Sequence, residues 1–172
     1  MRVYVQFLLL IFILLPGAIS AQSFTAQKGG HCYTLDIPDY MTKTYTLNDV
    51  ATLQYQNIQR EAYSIVIEDE KALLESLGIK FVDAADFLEQ FIAEYKVESQ
   101  NRKTSQPTTF TANGNPAAQI ELEWSEEAGS FYMLITVVET KTHFYKIMSW
   151  TLGENKDKLK YDFQKTAKSL KD

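Results

Sequence analysis

The sequence contains few of the residues on which catalytic, metal and disulfide chemistry usually depends. It has one cysteine and two histidines in 172 residues. A single cysteine cannot form a disulfide within the chain, so packing must provide the stability. No C-x-x-C or H-x-x-x-H spacing is present, and we find no nucleophile, phosphate-binding or metal motif. We therefore predict no catalytic residue, no metal site and no cofactor, and expect a protein that is not an enzyme.

Basic residues are too few for a nucleic-acid partner. The chain has 17 Lys and Arg against 22 Asp and Glu, which gives a net charge of -5. Removal of residues 1–21 as a signal peptide would take away one arginine and make the balance one unit more negative. Nucleic acids attract basic surfaces, so we expect no nucleic acid among the partners of this protein.

The first 21 residues have the layout of a secretory signal peptide. Arg2 precedes an unbroken apolar run over 7–15, and Pro16 and small residues up to Ala21 follow it. The run is well short of the ~20 residues that span a bilayer, which argues against an uncleaved anchor. Cys32 lies too far beyond it for a lipoprotein. The sequence therefore predicts cleavage after Ala21, export to the periplasm or outside the cell, and no integral membrane span after cleavage.

The remaining chain has the length of one domain. Residues 22–32 are small and polar with a Gly-Gly pair, which is typical of a flexible lead-in behind a signal peptide. Residues 33–172 have ample apolar and aromatic material for one core. We therefore predict a signal peptide over 1–21, a flexible lead-in over 22–32, and a single domain over 33–172.

Residues 116–152 predict three consecutive antiparallel strands at the centre of a sheet. In the first, apolar residues from Ala118 to Trp124 alternate with Gln119, Glu121 and Glu123, so one face is buried. The next two, 131–139 and 142–152, carry apolar residues at both parities. Both of their faces need covering, which requires a layer above the sheet and another below it.

The rest of the chain supplies further strands and the covering helices. The patterns predict strands over 33–37 and 41–47, a hairpin of strands 51–56 and 62–68, and a tight turn at Asn113-Gly114. They predict a short helix over 70–77, capped by Asp69 and ended by Gly78, a longer helix after Asp83 and a last helix from about Asn155. Residues 98–106 are predicted to form a loop. The two longer helices have apolar stripes at helical spacing. The predicted class is therefore α+β, an α/β/α sandwich with a central antiparallel sheet flanked by helices on both faces.

Several stretches resemble the PsbP and Mog1-like domain family, in particular its short exported bacterial members. They are YTLDIPDY, ATLQYQN, EAYSIVIEDEKALL, ADFLEQFIAEY, NGNPAAQIELEW, and FYKIMSWTL followed by a helix that ends KSLKD. The family commonly ends its last helix with Ser-Phe, whereas this chain has Ser169-Leu170. Relatives assist a photosynthetic oxygen-evolving complex or bind a small nuclear GTPase, so the resemblance implies an accessory or adaptor module.

Two functions fit these observations. The first is a non-enzymatic exported binding or assembly-accessory module with a protein partner in the cell envelope. The alternative is a periplasmic carrier of a small apolar ligand or lipid, suggested by ten Phe and ten Tyr. Aromatic residues more often form core, and fold alone does not carry function.

Five residues and the lysines of the last helix are site candidates. His31 and Cys32 could form a thiol or metal site, but neighbours in an extended segment point to opposite faces. His143 is expected to be a solvated turn residue. Glu121 and Glu123 share a face about 7 Å apart, as paired carboxylates of hydrolases can, but a solvent-facing strand explains them more simply. The lysines of the last helix are likewise expected to form a solvated face rather than to bind an anionic surface.

Overall fold

The computed structural model describes residues 22–30 and 33–172, and the predicted signal peptide, His31 and Cys32 lie outside them. The strands of the described residues are β1 (Phe24–Gly29), β2 (Tyr33–Pro38), β3 (Thr42–Lys43), β4 (Leu53–Asn57), β5 (Ala62–Glu70), β6 (Gln100–Thr104), β7 (Thr108–Ala112), β8 (Asn115–Glu126), β9 (Gly129–Glu139) and β10 (His143–Leu152). The α-helices are α1 (Lys71–Ser76), α2 (Ala84–Glu94) and α3 (Lys156–Lys168).

An antiparallel sheet with the strand order β3-β4-β5-β10-β9-β8-β6 forms the centre of the molecule, and β7 pairs with the first half of β8. The predicted meander is confirmed as β8, β9 and β10. Asn113 and Gly114 turn the chain from β7 into β8 with φ of 47° and 89°, the left-handed conformation that Asn-Gly accepts readily.

Both faces of the central strands are buried, as their double apolar pattern predicts. On β9, Tyr132, Leu134 and Val138 belong to the core on one side, and Met133, Ile135 and Val137 belong to the core on the other. Helix α2 covers the second side and helix α3 the first. The α+β sandwich with helices on both faces is therefore confirmed.

Helix α2 begins where the sequence predicts. The Asp83 carboxylate accepts hydrogen bonds from the backbone N–H groups of Ala85 and Asp86, at 2.8 and 2.9 Å. This cap satisfies donors that have no partner inside the helix. Phe87 and Leu88 then point into the core over β8 and β9.

The segment predicted as a flexible lead-in instead forms strand β1. It pairs along its whole length with β2, from Phe24 opposite Pro38 to Gly29 opposite Tyr33. The resulting hairpin lies beside α3 on the same face of the sheet. Thr34 on β2 and Lys171, which follows α3, exchange two backbone hydrogen bonds. The prediction is wrong here because backbone hydrogen bonds hold β1, while its polar side chains face solvent and give no hydrophobic pattern.

Three smaller predictions are also wrong. Residues 100–104, predicted as part of a loop, form the edge strand β6, whose exposed polar residues show no alternation. Asp69 does not cap α1, because β5 continues through it opposite Phe144 and the helix starts at Lys71. The predicted strand over 41–47 shrinks to the two residues of β3. Gly78 does end the short helix, with φ of +77°.

Candidate binding groove

Helix α2 leaves part of its sheet face uncovered, and an apolar groove of about 470 Å³ lies there. The floor consists of side chains from β5, β9 and β10, and the walls consist of the end of α2 and the loop before β4. The lining residues are Leu47, Asn48, Ile65, Ile67, Phe91, Tyr95, Lys96, Trp124, Glu126, Phe131, Met133, Lys146, Met148 and Trp150. Both tryptophans of the chain are among them.

The floor follows from strand alternation. Ile65 on β5 lies opposite Met148 on β10, and Ile67 lies opposite Lys146. Because successive residues of a strand point to opposite faces, these side chains form two parallel rows on the α2 side. Trp150 continues the β10 row and stacks on the Tyr63 ring, with ring centroids 5.4 Å apart.

One wall is an irregular loop held rigidly by a buried glutamine. Gln54 is 5% exposed. Its Oε1 accepts hydrogen bonds from the backbone N–H groups of Leu47 and Asn48, at 2.9 and 3.1 Å. Its Nε2 donates to the carbonyl oxygen of Asn48 at 2.7 Å. A buried amide satisfied in this way fixes the loop against the sheet.

The opposite wall is aromatic. The rings of Phe91 and Tyr95 stack with centroids 4.9 Å apart at the end of α2. Burial, with a smaller contribution from the charge of Glu126, raises the pKa of the Tyr95 hydroxyl above its usual range. Arg102 donates from its guanidinium to the carbonyl oxygens of Tyr95, at 3.1 Å, and Ile92, which satisfies the end of the helix.

Trp124 closes one end of the groove. Its indole N–H donates to the Glu126 carboxylate at 2.8 Å, and its ring stacks on Phe131 with centroids 5.2 Å apart. The Lys96 ammonium lies 5.0 Å from the centre of the Trp124 ring and pairs with the Glu126 carboxylate. The hydrogen bonds from Lys96 and Trp124 hold the pKa of Glu126 below its usual range.

The groove has the size and lining of a small-molecule binding site. Ligand pockets are typically concave and apolar, with volumes of roughly 300–1,000 Å³ and a few polar groups that orient the ligand. The groove lies within that range and combines aromatic walls with three charged lining residues. Within residues 22–30 and 33–172, no three His, Cys, Asp or Glu side chains lie together as a metal site would require.

The sequence-predicted candidates lie elsewhere. His31 and Cys32 are outside the described residues, so the hypotheses about them stay predictions. His143 is not a solvated turn residue: it opens β10, is half-buried, and its ring stacks on Tyr145 with centroids 5.4 Å apart. Its Nδ1 lies 2.9 Å from the Thr142 hydroxyl. The hairpin brings it into the sheet because its backbone pairs with Glu70 on β5.

The expectation that Glu121 and Glu123 simply face solvent is wrong, because both carboxylates form ion pairs with α3. Lys160 reaches Glu121 at 2.6 Å, and Lys156 reaches Glu123 at 2.6 Å and Glu121 at 3.4 Å. These two lysines of α3 therefore fasten the helix to β8 and do not belong to a solvated face. Burial alone would raise the pKa of Glu121, but the hydrogen bonds and charges of Lys160 and Lys156 outweigh it and lower the pKa.

Sequence reasoning missed the groove itself. Aromatic content suggested a carrier without locating its site, and the local signal for this position was Lys146, a charged residue inside the apolar row of β10. Alternation places Lys146 between Phe144 and Met148 on a buried face, where a lysine is rare.

Comparison with known proteins identifies the fold. No protein-family model and no curated protein sequence matches the chain. Cyanobacterial PsbP (CyanoP) from Synechocystis sp. PCC 6803 is similar over 90% of this chain and 95% of its own, at 14% identity and a TM-score of 0.63. LpqN of Mycobacterium tuberculosis, described as involved in cell envelope biogenesis, is similar over 86% of this chain and 89% of its own, at 13% identity and a TM-score of 0.60. The chain therefore has the PsbP-like fold, as the sequence resemblance implies.

In the described residues no helix is both long and apolar enough to cross a membrane.

Proposed function

We propose that the protein is a non-enzymatic, exported binding module that carries a small apolar ligand in the aromatic groove on the α2 side of its sheet. The observation that carries the proposal is the incomplete cover of that face. Helix α2 lies over β8 and β9, and apolar side chains of β5 and β10 are left to line an open cavity. Apolar surface that is not covered by the protein's own chain commonly marks a binding site.

The rigidity of the groove supports a resident ligand. Gln54 holds one wall by three hydrogen bonds of 3.1 Å or less, and Arg102 holds the end of the other. A preformed site binds more tightly because little ordering cost remains when the ligand enters. These contacts favour a carrier over a surface that closes only around a partner.

A protein-binding accessory role is the second candidate, and a separate surface favours it. Leu73, Leu77 and Val82 are 57%, 66% and 86% exposed on and after α1. Exposed apolar side chains in one segment are typical of a protein contact. The similarity to CyanoP and LpqN supports an accessory task only through the shared fold, and fold does not determine function.

Native mass spectrometry separates the two candidates. A carrier purified from its natural envelope under native conditions should arrive with a bound small molecule, whereas an accessory module should arrive bare or with a protein. Ile67→Trp, which fills the groove from its floor, should abolish the adduct. Ile58→Trp is the matched control, because Ile58 is 65% exposed and does not line the groove. A bare wild-type protein, or an adduct that survives Ile67→Trp, contradicts the carrier.

Export is tested at the amino terminus. Sequencing of the exported protein should find Gln22 as the first residue, because small residues precede it in the predicted cleavage site. A membrane-bound form that retains residue 1 would contradict the exported carrier.

A further inference from the structure

Lys146 is a charged side chain built into the apolar floor of the groove. It lies between Phe144 and Met148 in the β10 row, and its side chain is only 12% exposed. Its ammonium lies 4.5 Å from the centre of the Phe91 ring and 5.3 Å from that of Phe87. Aromatic faces stabilise a cation there but accept no strong hydrogen bond.

The ammonium also has unused hydrogen-bonding capacity. Its ion-pair partner Asp69 is 3.7 Å away, which is beyond hydrogen-bond range. Lys146 Nζ makes no hydrogen bond to another of the described residues, and Asp69 Oδ2 is buried without a hydrogen bond. A lysine ammonium has three donors, and leaving them unmet in an apolar site costs free energy. A ligand acceptor in the groove would remove that cost.

The remaining charges of the groove do not compete for such a ligand. Lys96 and Glu126 lie at the Trp124 end and neutralise each other in an ion pair. The Lys146 ammonium therefore provides the attraction for an anion, with Asp69 as a partial counter-charge behind it. Along β10, Trp150 lies four residues from Lys146, about 14 Å at the rise of a strand. Apolar side chains line the distance between them.

We propose that the groove binds a fatty acid, a single-chain amphiphile whose carboxylate accepts hydrogen bonds from Lys146 while its alkyl chain lies over Met148 towards Trp150. This inference rests on the proposed carrier function and specifies its ligand class. The carboxylate gives the ammonium the hydrogen bonds that Asp69 does not make, and the chain covers the apolar floor. Lys146 thereby selects anionic over neutral or cationic ligands of the same length.

Three ligands with identical chains test the inference: dodecanoate, dodecanol and dodecylammonium. The two ionic ligands are titrated below their micelle concentrations, and dodecanol below its solubility limit. Both tryptophans line the groove, so intrinsic fluorescence reports occupancy directly. We expect wild-type protein to bind dodecanoate at least tenfold more tightly than dodecanol, and dodecylammonium most weakly. Lys146→Met should remove the preference for dodecanoate while dodecanol binding persists, which also shows that the variant is folded.

Two further variants test whether the preference for dodecanoate depends on the positive charge at Lys146. Lys146→Arg keeps the positive charge and should keep the preference for dodecanoate. Lys141→Met removes an exposed lysine of the same hairpin and should change nothing. Equal binding of dodecanoate and dodecanol by the wild type would overturn the carboxylate anchor but leave the carrier intact. A preference that survives Lys146→Met would overturn the role of Lys146. Failure of all three ligands to bind would overturn the proposed function itself.

Discussion

The two faces of the central sheet are covered to different extents. On the α3 side, helix α3 and the β1–β2 hairpin together enclose Tyr33, Tyr132, Tyr145 and Phe163, each no more than 2% exposed. On the α2 side, one helix covers β8 and β9 and leaves the groove over β5 and β10. The apolar core on the α3 side is closed, whereas the core on the α2 side opens into an apolar groove.

This difference separates the tasks of the two faces. Closed packing on the α3 side contributes stability, because the buried apolar side chains of its core are at most 6% exposed to water. The α2 side buries less of its apolar surface. Its half-exposed rings, Phe91, Phe131 and Trp150, remain available to a ligand. Substitutions on the two faces should therefore differ in what they change.

The largest expected effect is on the closed face. Phe163→Ala removes a ring that is 2% exposed and should lower the free energy of unfolding by about 3–5 kcal/mol, because the cavity has no solvent to fill it. Phe91→Ala, also on a helix facing the sheet, should cost only about 1 kcal/mol because its ring borders the groove. Urea unfolding of both variants measures the contrast. Equal losses would show that the two faces are packed alike.

Trp124→Ala should have the next largest effect. Trp124 is 4% exposed at the end of the β8 row, and its loss should cost about 3 kcal/mol, at the low end for a buried ring because one side borders the groove. Glu123→Ala, the neighbouring residue on the other face, should cost less than about 1 kcal/mol, since it loses only a partly exposed ion pair. Urea melts that rank Glu123→Ala as the costlier change would contradict this assignment of faces.

A pair of helix-end variants separates stability from binding. Arg102→Met frees the carbonyl oxygens at the end of α2. Asn113→Ala frees those of Lys168, the last residue of α3, and of Leu170 just after it. Each should cost about 1–2 kcal/mol for lost hydrogen bonds. Only Arg102→Met should weaken dodecanol binding, because Tyr95 lines the groove. The measurements are thermal melting and tryptophan fluorescence, and equal loss of binding in both variants would contradict a groove confined to the α2 side.

The smallest effect is the pH dependence of the ion pairs on the α3 side. The pKa of Glu121 is lowered in the folded protein, so its stabilising contribution is complete above its ordinary value of 4.5 and is lost as the pH falls through the lowered value. Glu121→Gln should therefore cost about 1 kcal/mol at neutral pH and nothing in strong acid. Urea unfolding of the wild type and of Glu121→Gln, from neutral pH to strong acid, measures this cost. A cost independent of pH would show that the carboxylate acts through packing alone.

The sequence by itself determined the elements whose pattern is local. Alternation along 118–124 and apolar residues at both parities in 131–152 gave the three central strands and the need for two covering layers. Asp83 gave the start of α2, and Asn113-Gly114 gave the turn into β8. Each of these signals lies within a few residues of the structure it specifies, because side-chain direction and backbone conformation repeat over short distances.

Tertiary structure decided the remainder. Strand β1 exists because its hairpin partner β2 completes its backbone hydrogen bonds, and strand β6 exists because the later strand β8 does the same. The polar side chains of β1 and β6 show no alternation that would predict either strand. The pairing of Glu121 with Lys160 joins residues far apart in the chain. The groove exists because α2 packs on β8 and β9 and leaves part of β5 and β10 uncovered. Lys146 acquires its place in the groove only when Phe91 packs above it. Such contacts depend on the distance between elements after folding, which no local pattern contains.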